Sequence, residues 1–138
     1  MRYVYLDSCI VIYLVEGVEP WRSRIRSCFM PPNLNRISIG FSDLTRLETR
    51  LGPKRRNDWL TLRRFDEFFA APGFQRIELD TTVFDLATDL RATHHLKTAD
   101  ALHLAAAITA GCDEFWTNDT HLNKAAEQCL RVIPVDLL

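Results

Sequence analysis

The chain has 138 residues, 47% of them apolar and 25% charged, with a net charge of -1. This length and balance fit one globular domain over residues 1–138 and exclude a disordered tail or a membrane protein. The longest apolar stretches, Cys9 to Val15 and Leu104 to Ile108, are far too short to cross a bilayer.

Tyr3 to Leu6 has the aromatic and β-branched content of a buried strand, and Met1 enters it at once. With no signal-peptide core or small-residue cleavage site there, export is not expected and the cytoplasm is. Ser8 to Val15 reads as a helix entered directly from Asp7 and stopped by Gly17. Pro20 suits the first turn of a second helix through about Phe29, which Pro31-Pro32-Asn33 breaks.

Arg36 to Ile39 is a second short strand. Ser42 is placed to cap the next helix, whose predicted apolar face is Phe41, Leu44, Leu47 and Leu51, with Gly52-Pro53 as its end. A longer helix follows from about Asn57 to Phe69, then a strand from Phe74 to Leu79. Asp80 caps a helix from Thr82 to about His94, where His94 and His95 form a polar end. Thr98 begins an alanine-rich helix that runs to Ala110 and stops at Gly111. Phe115 to Thr117 is a fourth strand, Asp119 to about Gln128 a short helix, and Leu130 to Val135 a last strand.

Strands separated by helices imply an α/β domain with a central parallel sheet covered on both faces. Ligands in such folds sit beyond the carboxyl ends of the strands. Asp7 and Asp119 fall at such ends, and the helices carrying Glu48 and Asp100 can point at the same crevice.

Each acid also has an ordinary reading. Asp7 and Asp119 sit where N-caps sit, and Asp100 is a first-turn acid that favours the helix dipole. Glu48 follows Leu47 on the border of the predicted apolar face, with Asp43 as a competing acid from the same segment. Taken together they suggest more. Two unit charges ~5 Å apart cost roughly 3 kcal/mol at an effective dielectric near 20, so four gathered carboxylates hold protons or bind cations.

Cys9, Cys28, Cys112 and Cys129 lack paired C-x-x-C spacing and suit small buried hydrophobes. A zinc site from Cys112, Cys129 and His121 is the only alternative they offer. Basic residues are uneven: Arg46, Arg50, Lys54, Arg55, Arg56, Arg63 and Arg64 lie within one short stretch, and Arg22, Arg24 and Arg26 form a second group. Such patches attract phosphates or simply solvate a helix face.

These residues resemble the PIN-domain nucleases, and more closely the VapC-type toxins of toxin–antitoxin pairs, over nearly the whole chain. Tyr5-Leu6-Asp7-Ser8 is similar to the family's opening strand with its first acid and following hydroxyl. Glu48 in Leu44-Thr45-Arg46-Leu47-Glu48 is similar to the helix-borne glutamate. Asp100-Ala101-Leu102-His103-Leu104-Ala105-Ala106-Ala107 and Thr117-Asn118-Asp119 are similar to the third and fourth acidic motifs. Two departures stand out: the extra acid Asp43, and His121-Leu122 where the family often has an aromatic residue.

The resemblance implies an Mg2+- or Mn2+-dependent endoribonuclease acting on single-stranded or structured RNA. Asp7, Glu48, Asp100 and Asp119 would be its catalytic and metal-binding acids, supported by Ser8, Thr117 and Asn118. Arg46, Arg50, Lys54, Arg55 and Arg56 are then the candidate RNA-backbone track. The resemblance further implies a homodimer and a small cognate antitoxin, with no membrane partner. The rival from another class is a PIN-fold RNA-binding or regulatory module that does not cleave. A haloacid-dehalogenase-type phosphatase needs a second Asp where Cys9 stands, and a receiver domain lacks its early acidic pair and late Lys.

Overall fold

The structure is a computed structural model that describes residues 1–30, 36–119, 121–127 and 129–138. Its elements run β1 (Arg2–Leu6), α1 (Ser8–Glu16), α2 (Trp21–Cys28), β2 (Ile37–Ser42), α3 (Asp43–Arg55) and α4 (Trp59–Phe69), then β3 (Phe74–Ile77), α5 (Thr81–His94), α6 (Thr98–Thr109), β4 (Glu114–Thr117), α7 (Asn123–Ala126) and β5 (Arg131–Pro134), with a closing 3-10 turn at Val135–Leu137. All strand pairings are parallel, in the order β3-β2-β1-β4-β5. The expected α/β domain is what forms. The expected break at Pro31-Pro32-Asn33 lies outside the described residues.

Alternation along β1 explains the two cores. Successive strand side chains point to opposite faces, so Tyr5 joins α5 and α6 on one side, while Val4 and Leu6 join α1, α2 and α4 on the other. Ala101, Ala105, Ala106 and Ala107 are wholly buried, so α6 lies close on the sheet as its small residues allow. At Gly40 of β2 a Cβ would come within 2.9 Å of both Tyr3 and Ile77. A larger residue there would have to push the Tyr3 ring and the Ile77 tip aside.

The helix α3 differs from its sequence pattern in two ways. Its inward face is Thr45, Thr49 and Pro53, whereas Leu47 and Leu51 are exposed. The inner positions go to hydroxyls because Tyr5 presents a phenol there and each hydroxyl finds a partner: Thr49 Oγ1 donates to the Thr45 carbonyl at 2.9 Å, and the amide of Ser42 donates to Thr45 Oγ1 at 3.2 Å. The helix also runs through Gly52-Pro53 to Arg55. Proline lacks an N–H and normally stops a helix, but this one lies in the last turn, is buried, and has its carbonyl taken by the amide of Asp58 at 2.9 Å. The expected cap at Ser42 does form, as a reciprocal capping box with Thr45.

Strand order reverses beside β1. β2 and β3 build outward on one side of it, β4 and β5 on the other. The crevice beyond the carboxyl ends at such a reversal is the usual ligand site of an open parallel sheet. Asp7 and Thr117 border it.

Candidate active site

Asp7 leaves β1 in an extended conformation and caps α1, its Oδ1 accepting from the amide of Ser8 at 2.8 Å. Its own amide donates to the carbonyl of Trp116 at 3.0 Å, continuing the β1–β4 pairing past the strand end. The buried Thr117 donates from Oγ1 to Asp7 Oδ2 at 2.7 Å, and the same oxygen accepts from the amide of Asp119 at 3.1 Å. One hydroxyl thus ties two of the acids together.

Glu48 comes in from α3. Ser8 Oγ donates to Glu48 Oε1 at 2.8 Å, and Nε2 of His103 contacts the same oxygen. That imidazole nitrogen also stands 3.8 Å from Asp7 Oδ1. Burial pushes the Glu48 carboxyl up, but the hydrogen bond from His103, with that from the Ser8 hydroxyl, more than offsets this and holds it below the usual range. His103 is 2% exposed, and its Nδ1 lies 2.7 Å from the Tyr5 hydroxyl. The same hydroxyl is 2.9 Å from Ser42 Oγ and 3.4 Å from Thr45 Oγ1. Burial raises the Tyr5 phenol far above its ordinary value, so it stays protonated.

Asp100 and Asp119 meet through His121. The ring Nδ1 of His121 is 2.6 Å from Asp119 Oδ2, and its Nε2 is 3.5 Å from Asp100 Oδ2. Burial raises the Asp100 carboxyl above the ordinary range, His121 opposes this, and the charges of Asp7 and Asp119 add to it. Asp119 is shifted down, first by the backbone N–H of His121, which donates to its Oδ1 at 3.0 Å. It therefore closes a local turn instead of capping a helix. The helix α7 begins later, with Leu122 at its N-cap, so the expected helix from Asp119 is a correction.

Asn118 plays a bracing part. Its side-chain nitrogen donates to the Tyr13 hydroxyl at 2.9 Å, and its amide lies 3.3 Å from Cys9 Sγ, which joins this loop to α1.

The donor set is carboxylate oxygen, which suits hard cations such as magnesium or manganese. Mutual repulsion is visible in the effect of Asp7 and Asp119 on Asp100, and a cation relieves that strain. Among the described residues, no three His, Cys, Asp or Glu side chains form a ready metal-holding group. Magnesium commonly takes only one or two carboxylates, with water and substrate phosphate completing its shell. The alternative zinc set is not assembled: Cys112 is buried and Cys129 exposed, while His121 is engaged by Asp119 and Asp100.

The basic stretch divides. At 100° per residue, Arg46 and Arg50 point away from Glu48 on the opposite side of α3. Arg46 pairs with Asp43 at 3.0 Å and Arg50 with Asp66 at 2.8 Å. They line a cleft of ≈ 390 Å³ with Phe41, Phe69 and Arg76. Arg56 pairs with Glu16 at 2.8 Å. Arg55 lies two turns beyond Glu48 on the same side, and Lys54 borders the exposed Leu47 and Leu51. Asp43, the competing acid, faces Arg46 and Arg76 and does not enter the site.

Sequence reasoning missed the two histidines as site members. His103 enters the sequence reading only as part of the third acidic motif. The usable signal was a lone imidazole inside an otherwise apolar buried run, since a buried polar ring needs partners. For His121 it was the spacing of two residues from Asp119.

A family model described as the PIN domain matches residues 4–128. No curated protein matches the sequence. Among solved structures, VapBC2 from Rickettsia felis bound to a promoter DNA fragment is similar at a TM-score of 0.76 and 14% identity, over 96% of this chain and 98% of that one. FitAcB from Neisseria gonorrhoeae gives 0.71 at 20% identity, over 98% and 99%. VapC20 from Mycobacterium tuberculosis, a sarcin–ricin loop cleaving toxin, gives 0.72 at 14% identity, over 93% and 98%.

Proposed function

Given that this chain belongs to the PIN domain family, we propose that it is a divalent-metal-dependent endoribonuclease, the toxin of a toxin–antitoxin pair. The observation that carries the proposal is the convergence of Asp7, Glu48, Asp100 and Asp119 at the strand-order reversal, linked through Thr117, His103 and His121. Asp7, Asp100, Asp119 and Glu48 are the residues that would hold Mg2+ or Mn2+. When bound, such an ion supplies an acidified water and offsets charge on the phosphate oxygens.

The rest is work for the chain's own groups. Ser8 and Thr117 orient the carboxylates of Glu48 and Asp7 by hydrogen bonds. Asn118 holds its loop against Tyr13, which fixes the wall beside Asp119. Arg55 attracts the RNA backbone from the Glu48 side of α3.

One structural neighbour is described bound to promoter DNA and another, from Klebsiella pneumoniae, as a toxin–antitoxin complex, and a small antitoxin is the partner we assign here, with a second copy of the chain. The exposed Leu47 and Leu51 supply apolar surface for such contacts. Among the described residues no helix is long and apolar enough to cross a membrane.

The test is cleavage of RNA by the purified chain with Mg2+ or Mn2+, beside Asp7→Asn and Asp100→Asn. Loss of cleavage in folded variants supports the assignment. Equal cleavage by either one removes it, and RNA binding without cleavage by the wild type favours the non-cleaving alternative.

A further inference from the structure

Building on the carboxylate-site reading above, we propose that Tyr5 and His103 are positioning residues that decide which oxygen of Glu48 faces the reaction. The argument is a proton count along one buried line. Ser42 Oγ accepts the Thr45 amide in the capping box, so its own hydrogen is available to the Tyr5 oxygen, 2.9 Å away. The Tyr5 hydrogen then goes to His103 Nδ1 at 2.7 Å. With Nδ1 accepting, the ring proton sits on Nε2, directed at Glu48 Oε1. Ser8 donates to that oxygen too. Among the described residues, Oε1 takes both donors and Oε2 takes none, so Oε2 is the oxygen presented to the crevice.

The line begins at the cap of α3 and ends at an acid on that same helix. Helix placement and carboxylate orientation are therefore set together. Tyr5 is held independently, stacked on Phe115 with ring centroids 5.3 Å apart and planes 9° from parallel. Removing its oxygen alone leaves that packing intact. A merely space-filling His103 would tolerate any side chain of similar volume; a positioning one needs a donor at Nε2.

Nitrogen-15 NMR of the imidazole in the wild-type full chain reads the tautomer directly, without metal or RNA. Protonation on Nε2 with Nδ1 accepting is expected. A proton on Nδ1, on its own or with one on Nε2, overturns the inference. Mn2+ titration of Tyr5→Phe, His103→Leu and His103→Gln supplies the second readout. We expect affinity about 10- to 100-fold weaker in the first two, with the amide donor of Gln restoring most of it. In RNA cleavage, kcat falls while KM stays near wild type. Wild-type affinity in both Tyr5→Phe and His103→Leu overturns the inference. Failure of the wild type to bind Mn2+ instead overturns the metal-site reading, and the tautomer still decides the positioning question.

Discussion

Thr117 and Asp7 are separated by 110 positions yet share a 2.7 Å hydrogen bond at the ends of adjacent parallel strands. The bond uses one oxygen of Asp7, while the amide of Ser8 takes the other. The first acid of the site is thus held by the sheet on one side and by a helix on the other. Thr117→Val keeps the shape and removes the hydroxyl. It should reduce cleavage about 10- to 100-fold and cost roughly 1–3 kcal/mol of stability, since Asp7 and the Asp119 amide both lose a buried partner. Initial-rate assays and urea unfolding check the two figures separately.

Asp100 and Glu48 should respond to pH with opposite signs. The folded Asp100 carboxyl is raised, first by burial, so the native state keeps a proton that the unfolded chain has released. Its effect on stability turns unfavourable as pH rises from the ordinary Asp value through the raised one. Asp100→Asn should accordingly raise the Tm at neutral pH, with the gain vanishing below about pH 3, where the wild-type acid is also neutral. Glu48 is lowered in the fold, so its contribution is present above the ordinary Glu value and lost as pH falls through the lowered one. Glu48→Gln should lower the Tm at neutral pH. Thermal scans of both variants across pH would expose any common sign, which this account does not permit.

Divalent cation should stabilise the folded chain by mass action. A one-hundred-fold excess over Kd is worth about 2.7 kcal/mol, enough for a clear rise in Tm with Mn2+ that EDTA reverses. Asp7→Asn should abolish most of the rise. A variant that keeps the full shift would place the ion elsewhere.

The two sides of α3 should differ in RNA binding. Arg55→Ala should weaken binding and flatten its salt dependence by up to about one counterion. Arg46→Ala should leave binding near wild type, because that guanidinium faces away from Glu48 and is paired with Asp43 at 3.0 Å. Filter binding at several salt concentrations distinguishes the pair. A loss in Arg46→Ala equal to that in Arg55→Ala would mean RNA travels over the cleft beside Phe41.

Packing offers a check that needs no substrate. Leu47 is 59% exposed and Ala105 wholly buried. Leu47→Ala should shift stability by less than about 0.5 kcal/mol, whereas Ala105→Leu should cost about 1–3 kcal/mol by forcing α6 off the sheet. Denaturant midpoints measure both.

Those last two positions also mark what the sequence can and cannot convey. The alanine run of α6 announces close packing because small side chains have no other use in a buried helix, and Asp7 after Tyr3 to Leu6 announces a strand-end acid. The rotation of α3 was hidden. Leucine periodicity favours turning Leu44, Leu47 and Leu51 inward; Leu44 does pack on the core, but Leu47 and Leu51 stay outside because the facing surface carries the Tyr5 hydroxyl, and Thr45 lies against it. Which apolar stripe stays outside depends on a partner that intrachain periodicity does not encode. Asp119 was ambiguous for a related reason: an Asx turn and an N-cap use the same side-chain acceptor and differ only in where the next residues go.

The pairing of β1 with β4 has a consequence during synthesis. The ribosome releases Asp7 110 residues before Thr117, and β1 gains its second neighbour only when β4 has left the exit tunnel. Until then Asp7 lacks its threonine and Asp119 does not exist. A nascent or prematurely terminated chain therefore carries its acids unassembled, and the crevice is completed only once Thr117 and Asp119 have emerged.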